Sequence, residues 1–343
     1  EVKPNAVGEL LRMGADPGII SFAGGYPDAS LFPRAELDGV LHEAVMQHGA
    51  TSLQYTVPDG LPKLKQQIAA RLTKAGTSCT ADDVLVLQGS QQGLDLVAKM
   101  LVNPGDVIIT ESPTFVGALI AFAPCEPRYR GVRTDNEGMD VDQLEHLLRQ
   151  QPRARLIYTI PDFQNPKGVS LSAARRRRLV ELANKHDAIV LEDTAYAPLR
   201  FAGDPLPSLK SLDTEGRVIQ LGSFSKILAP GLRLGWAVAS PAMIEKLGLL
   251  KLAADTQCNT LSMMATSLYL DRHDIEAHIG VLRSAYLRKK NLMLDAIRRS
   301  FPQEVTMTDP EGGLFTWVSF PAAIDTELFM RKHALPEAHV AYV

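Results

Sequence analysis

The stretch LIYTIPDFQNPKGVSLSAARRRRLVELANKHDAIVL, residues 156–191, decides the fold class. It opens with an apolar run at 156–160, continues with apolar residues at helical spacing over 173–186, and closes with a second apolar run at 188–191. Apolar runs on either side of an amphipathic helix are typical of parallel strands buried on both faces of a sheet. The stretch therefore predicts a strand–helix–strand unit of an α/β fold.

The same alternation extends in both directions from this unit. Further strands are predicted at 84–87, 107–110, 218–221 and 236–239, and helices at 91–102 and 114–122. The flanks differ, because residues 1–50 are rich in Gly, Pro and Asp and a long helical pattern starts at Asp274. We therefore expect one large domain at 51–273 and a smaller domain built from both chain ends, 1–50 and 274–343.

Composition excludes several classes of protein. The 343 residues are 45% apolar and 22% charged, with a net charge of −3, which is ordinary for a globular protein and gives no basic surplus for a general grip on nucleic acid. We interpret the arginine run 175–178 as a solvated helix face. The three cysteines have neither disulfide nor zinc spacing, so we expect no metal site. No membrane span and no signal peptide are recognisable, so we expect a cytoplasmic protein.

Two segments that follow predicted strands carry groups for binding an anion and an aldehyde. The turn at 88–93, QGSQQG, offers free backbone N–H groups where a helix begins, and these suit a phosphate. Lys226 ends the segment SFSK at 223–226, and a lysine close behind a buried strand favours the neutral amine that attacks a carbonyl. Ser223 also fits a Ser-x-x-Lys acyl-enzyme motif, but the Ser-Asp-Asn and Lys-Thr-Gly partners are absent from the sequence.

Further polar residues follow other strands. Asp193 is an acid that could hold a protonated ring nitrogen, Tyr196 and Asn165 could donate hydrogen bonds to a phenolate, and Arg233 could fork onto a phosphate. In α/β folds the carboxyl ends of strands meet at the ligand-binding edge of the sheet. The combined set matches the chemical needs of pyridoxal phosphate (PLP).

These motifs, together with 21–27, 53–55 and 89–92, make the chain resemble the class I/II aminotransferases of PLP fold type I. It is most similar to the branch of 2-aminoadipate aminotransferase and kynurenine aminotransferase II. The likeness covers nearly the whole chain and keeps the family's motif order. It implies a mostly parallel seven-stranded sheet between helices, a smaller α+β domain, and transfer of an amino group from an α-amino acid to a 2-oxo acid such as 2-oxoglutarate.

The resemblance also implies roles for individual residues. Lys226 would hold PLP as a Schiff base and move the substrate's Cα proton, Asp193 would pair with the ring nitrogen, and Asn165 and Tyr196 would hold the ring oxygen O3′. The phosphate would be held by Ser90, Gln91, Ser223, Ser225 and Arg233.

Three further positions follow from the same resemblance. Phe115 would stack on the PLP ring, at a place where the family usually has Tyr. Tyr55 would reach the phosphate of a neighbouring subunit, which implies a homodimer with shared active sites. Substrate contacts are expected from Gly25, Asn165 and Tyr55.

The sequence departs from the family's pattern at both ends. The arginine that binds the substrate α-carboxylate belongs to a segment after the strand that 340–343 begins, so we expect the sequence to be truncated there. The position of the arginine that contacts the distal carboxylate in aminoadipate enzymes is Gly8, with Arg12 one helical turn later. The amino donor therefore stays open between aminoadipate, aromatic, branched and broad use.

Two alternative functions share these motifs. One is the aminotransferase-like effector domain of a transcriptional regulator; since no DNA-binding segment precedes residue 1 and the net charge is acidic, we expect no nucleic-acid partner. The other is a PLP-dependent lyase, which uses the same lysine, acid and phosphate contacts. Product analysis separates the lyase from the aminotransferase.

Overall fold

The computed structural model describes residues 16, 18–22, 24–151 and 154–342. Gly8 and Arg12, the two positions compared with the distal-carboxylate arginine, lie outside the described residues. Within those residues, no helix is both long and apolar enough to cross a membrane.

Twelve strands form in the described residues. They are β1 (Ile20–Ser21), β2 (Val84–Leu87), β3 (Val107–Ser112), β4 (Arg128–Asp135), β5 (Gly138–Met139), β6 (Ala154–Thr159), β7 (Ile189–Asp193), β8 (Val218–Ser223), β9 (Gly235–Val238), β10 (Thr306–Met307), β11 (Val318–Ser319) and β12 (Val340–Ala341).

The α-helices surround the strands in chain order. They are α1 (Arg34–Met46), α2 (Gly49–Ser52), α3 (Pro62–Lys74), α4 (Ser90–Leu101), α5 (Val116–Phe122), α6 (Val141–Gln150), α7 (Ala173–Lys185), α8 (Leu209–Leu212), α9 (Pro241–Asp255), α10 (Thr260–Arg272), α11 (Ile275–Ser300), α12 (Thr326–Phe329) and α13 (Leu335–Ala338).

The central sheet has the order β2-β9-β8-β7-β6-β3-β4-β5. Strands β8, β7, β6, β3 and β4 are mutually parallel, whereas β9 is antiparallel to both of its neighbours. Seven strands match the expected number, and the two-residue β5 adds an eighth that pairs only with the end of β4. The segment 128–135 escaped prediction because its exposed arginines hide the apolar pattern of a strand.

Apolar side chains cover both faces of this sheet. On one face Leu156, Tyr158 and Leu191 pack against residues of α4 and α5. On the other face Ile157 and Val190 pack against residues of α6 and α7. Burial on both faces explains the uninterrupted apolar runs in the sequence.

Both ends of the chain meet in one short sheet. β1 pairs in parallel with β12, in a register that places Ile20 beside Val340 and Ser21 beside Ala341. Nearby in sequence, β10 pairs with β11 in an antiparallel ladder. The strand expected at 340–343 therefore forms at Val340–Ala341, and Val343 lies outside the described residues.

The arginine run on α7 is not a uniformly solvated face. Arg177 is exposed, but Arg176 is fully buried, so the prediction is wrong at that position. Its guanidinium binds both carboxylate oxygens of Asp162, and its remaining N–H groups donate to the backbone oxygens of Leu171, Pro207 and Pro161. A charged side chain can be buried here because each N–H group of the guanidinium donates to an acceptor, which offsets the loss of its contacts with water.

We predict that Arg176→Met destabilises the protein by about 3–5 kcal/mol, because it leaves a buried carboxylate and three backbone oxygens short of donors. Urea denaturation of the purified protein measures the loss. The matched control Arg177→Met, on the exposed face of the same helix, should change the stability by less than about 0.5 kcal/mol. Equal urea midpoints for the two variants would contradict the stabilising role of the buried Arg176.

Candidate active site

Four strands deliver polar residues to one edge of the sheet. Asp193 and Ser223 are the last residues of β7 and β8, and Asn165 lies in the loop after β6. β2 runs in the same direction as β8, because both are antiparallel to β9, so Ser90 at the start of α4 reaches this edge too. The topology thus gathers segments that are more than a hundred residues apart in sequence.

Lys226 follows β8 and turns its amine into this edge. Its Nζ donates a hydrogen bond to the backbone oxygen of Gly25 at 2.8 Å and lies 5.9 Å from the centre of the Tyr196 ring. Burial lowers the pKa of Lys226 to about 8; nearby Asp193 opposes this shift and Arg233 adds to it. The amine is therefore neutral at a lower pH than an ordinary lysine, which suits nucleophilic attack.

Asp193 is a buried acid with both oxygens bound. Its Oδ1 accepts from the backbone N–H of Ala195 at 3.1 Å, and its Oδ2 accepts from the hydroxyl of Tyr158 at 3.3 Å. Burial raises the pKa of Asp193 to about 6, while these two hydrogen bonds and the charge of Lys226 pull it down. Asp193 is thus an anion above pH 6 in a mostly apolar setting, ready for a cationic partner.

Asn165 and Tyr196 stand together beside this acid. The Asn165 side-chain amide donates to the Tyr196 hydroxyl at 3.5 Å. Burial raises the pKa of Tyr196, so its hydroxyl stays a neutral donor. The Tyr196 ring meets the ring of Phe315 edge-on, at 5.5 Å between centres.

Arg233, Gly89 and Ser90 form an anion cradle. Gly89 has φ +74°, and a Cβ there would lie 2.8 Å from Nη2 of Arg233, so glycine lets the guanidinium approach the helix start. Among the described residues, the guanidinium makes only long hydrogen bonds, at 3.4 and 3.5 Å, to the backbone oxygens of Pro230 and Gln88. It therefore keeps donors for an anion beside the free N–H groups of α4.

Two serines and one glutamine complete the surroundings of the cradle. Ser223 is buried, and its hydroxyl oxygen accepts from the backbone N–H of Ser225 at 3.0 Å. The side chain of Gln91 donates to the backbone oxygen of Gly117 at 2.7 Å, which ties the start of α4 to the start of α5 beside Phe115. The side chain of Gln91 thus points to α5, while its backbone N–H belongs to the free helix start.

Tyr55 behaves differently from the other predicted residues. Its side chain is 81% exposed, and among the described residues no hydrogen bond or ring contact joins it to Lys226 or Arg233. The loop that carries it is held by neighbours, since Gln257 accepts from the Thr56 N–H and Thr260 donates to the Gln54 oxygen.

The structure adds residues that sequence reasoning missed. Phe315 packs on Gly25 and Tyr196, although no motif in its own segment marked it as a site residue. Tyr158 was counted as strand core. Glu111 is buried and accepts from Thr159 and Gln164, and burial raises its pKa to about 7. An acid at the end of a buried strand was the available signal for Glu111.

The residues present fit pyridoxal phosphate. Lys226 is an amine for its aldehyde, Asp193 an anion for its ring nitrogen, Asn165 and Tyr196 donors for its phenolate, and the cradle beside Ser90 a place for its phosphate. Among the described residues, no three His, Cys, Asp or Glu side chains are grouped in a way that could hold a metal ion.

Comparisons with known proteins agree with this arrangement. A family model described as aminotransferase class I and II matches residues 24–343. The chain is 39% identical over 336 residues to aromatic-amino-acid aminotransferase 1 of Thermococcus litoralis, which covers 96% of this chain and 81% of that protein. It is 37% identical over 345 residues to the 2-aminoadipate transaminase of Thermus thermophilus, with 100% and 85% covered.

A solved structure is similar over the whole chain. The crystal structure of Pyrococcus horikoshii kynurenine aminotransferase, in complex with PMP, KYN as substrates and KYA as products, superposes with a TM-score of 0.95 and 38% sequence identity. The match covers 100% of this chain and 85% of that one.

We predict that formaldehyde with cyanoborohydride methylates Lys226 before the exposed Lys74 in protein freed of cofactor. At pH 8 about half of the Lys226 amines are neutral, against under about 1% for an unperturbed lysine. Peptide mass spectrometry at several pH values follows both sites. Equal rates at the two lysines would show that the site does not depress the pKa of Lys226.

Proposed function

The chain belongs to the family of class I and II aminotransferases, and from this premise we propose that it acts on aromatic or other bulky apolar α-amino acids at a site completed by a second copy of the chain. The protein is a PLP-dependent aminotransferase whose substrates are an amino acid and a 2-oxo acid. The proposal concerns its preferred donor, the roles of its residues and its assembly.

The observation that carries the proposal is the position of Lys226. Burial lowers the pKa of its amine, and the charges of Asp193 and Arg233 act on the same group. Asp193 and Arg233 are the residues expected at opposite ends of the cofactor. PLP, when bound, supplies an aldehyde that combines with amines and a ring that draws electrons from the substrate Cα. Lys226 is then the amine that holds the cofactor and, once free, carries the proton at Cα.

The other residues bind and orient. Asp193 keeps the ring nitrogen protonated, because a buried anion favours a neighbouring cation. Asn165 and Tyr196 would donate to the ring oxygen, and Phe115 would cover the ring. The phosphate would be held by Ser90, Gln91, Ser223, Ser225 and Arg233.

Aromatic side chains support an apolar amino donor. Phe315 and Tyr196 form a wall beside Gly25, the backbone that contacts Lys226. The nearby cation Arg200 is already paired with Asp162 and Glu311, so its charge is neutralised. A relative named for aromatic amino acids agrees with this choice, and we favour it over the acidic donor named for another relative.

An exposed apolar surface supports a homodimer. Leu53, Tyr55 and Val57 lie exposed on one loop, and Leu249 and Leu252 lie exposed on α9. Exposed large apolar side chains grouped on one segment, as on this loop and on α9, are typical of interaction surfaces. A second copy would bury Tyr55 and bring it to the partner's phosphate cradle.

We further propose a cytoplasmic location and a division into a large domain at 51–273 and a small one at 1–50 and 274–343.

The first experiment offers a panel of amino acids with 2-oxoglutarate to the PLP-loaded protein and identifies every product. We expect 2-oxo acids and glutamate, formed fastest from aromatic donors. Ammonia or carbon dioxide as the main product would indicate a lyase instead. No turnover of any donor would contradict the proposed catalytic role of this site.

We predict that Lys226→Ala abolishes turnover, and that Asp193→Asn lowers kcat by at least about a hundredfold, because each removes a group that handles a proton or charge in the reaction. Steady-state kinetics measure both. Lys74→Ala, at an exposed helix end, is the control and should keep the native rate. A native rate in Lys226→Ala would rule out its assigned role.

We predict that Lys226→Ala and Tyr55→Ala proteins, each impaired alone, recover activity after they are mixed and allowed to exchange subunits. A mixed dimer holds one site with native Lys226 from one chain and native Tyr55 from the other. Activity assays over time, with size-exclusion chromatography, follow the exchange. Mixed dimers without recovery would argue against a shared site.

A further inference from the structure

We propose that Tyr158 is a positioning residue that holds Asp193 in the orientation and ionised form in which it receives the ring nitrogen of the cofactor. The inference rests on the proposed role of Asp193 and extends it to a second layer of the site. Tyr158 itself touches neither substrate nor cofactor.

The register of the sheet places Tyr158 on the same face as Asp193 and one diagonal position away from it. Tyr158 of β6 lies opposite Leu191 of β7, two residues before Asp193, so both side chains project from the same face. The Tyr158 hydroxyl donates to Asp193 Oδ2 at 3.3 Å. The Tyr158 ring is fully buried and meets the ring of Phe122 edge-on at 5.6 Å, which fixes its direction.

The two hydrogen bonds to Asp193 hold different oxygens of its carboxylate. The Ala195 N–H holds Oδ1 and belongs to the backbone, which no side-chain change removes. Tyr158 is the side-chain donor to the acid, and it acts on the other oxygen. Together the two donors hold both carboxylate oxygens and so restrict the rotation of the carboxylate, while each oxygen keeps a further lone pair for another partner.

The hydroxyl of Tyr158 serves the acid rather than the apolar core. Phenylalanine would fill nearly the same volume in this cluster, and a buried hydroxyl costs free energy unless it is bonded. Burial raises the pKa of Tyr158 far above its ordinary value, so the group stays a donor throughout the working range.

The charges around Asp193 make this donor matter. Lys226 is the cation facing it from the segment after β8, and the neutral Tyr196 lies in the loop that follows β7. Glu111 lies on the other face, since Thr110 is the residue of β3 opposite Tyr158; burial raises the pKa of Glu111, and the charge of Asp193 adds to this shift. Loss of the Tyr158 hydroxyl would shift Asp193 further toward its neutral form.

The test is Tyr158→Phe, with the dissociation constant of PLP measured across pH 5–9 besides the rate. We expect PLP to bind about tenfold more weakly at neutral pH, and the acid limb of binding to move to higher pH, since removing a donor raises the pKa of a carboxyl. Tyr129→Phe removes a hydroxyl that donates to the Leu119 oxygen at 3.2 Å, and as a matched control it should leave both unchanged.

A double-mutant cycle separates positioning from general packing. If Tyr158 acts through Asp193, then Tyr158→Phe with Asp193→Asn binds PLP no more weakly than Asp193→Asn alone. Additive losses of PLP affinity in the double variant would overturn the proposal. Native PLP affinity and pH dependence in Tyr158→Phe, with Asp193→Asn impaired, would overturn it too. Either result would leave the proposed function intact. If Asp193→Asn itself binds PLP and turns over normally, then the role of Asp193 fails and the inference with it.

Discussion

The parallel register of β6, β7 and β8 is the constraint on which the site depends. Asp193 lies beside Leu221 of β8, and Glu192 lies beside Thr159 of β6. A slip of one residue would turn Asp193 to the opposite face and remove it from Tyr158 and Lys226. Because all three strands are buried on both faces, their apolar side chains make such a slip costly.

The same burial sets the chemistry at the edge of the sheet. Removal from water lowers the pKa of Lys226 and raises that of Asp193, so the two groups approach each other's titration range. Their mutual attraction opposes both shifts, which leaves a reactive amine beside an ionised acid near neutral pH. The hydrogen bonds from Tyr158 and Ala195 favour the anionic form of that acid, so residues of the apolar core affect the charge at the reactive edge.

A second network joins the strand edge to the C-terminal segment. Arg200 donates to Glu311, contacts Asp162 and lies 4.7 Å from the centre of the Phe163 ring. The buried Arg176 binds both oxygens of the same Asp162. Gly312 and Gly313 lie against Phe163, where a Cβ at Gly312 would collide with the ring and a Cβ at Gly313 with the Phe163 Cβ. Phe315 is thereby brought to Gly25 and Tyr196, although no pattern in its own segment predicted a place in the site.

The sequence by itself determined the α/β class, the parallel strands and the motif residues at their ends, because apolar periodicity and strand-end polarity are local signals. It predicted Lys226, Asp193 and Asn165 as residues that meet, since parallel strands share one carboxyl edge. Only the tertiary structure decided that Arg176 is buried, that β4 is a strand despite its arginines, and that the hydroxyl of the core residue Tyr158 donates to Asp193. Those outcomes depend on contacts between residues distant in sequence, whose partners and directions arise only when the sheet and its helices pack.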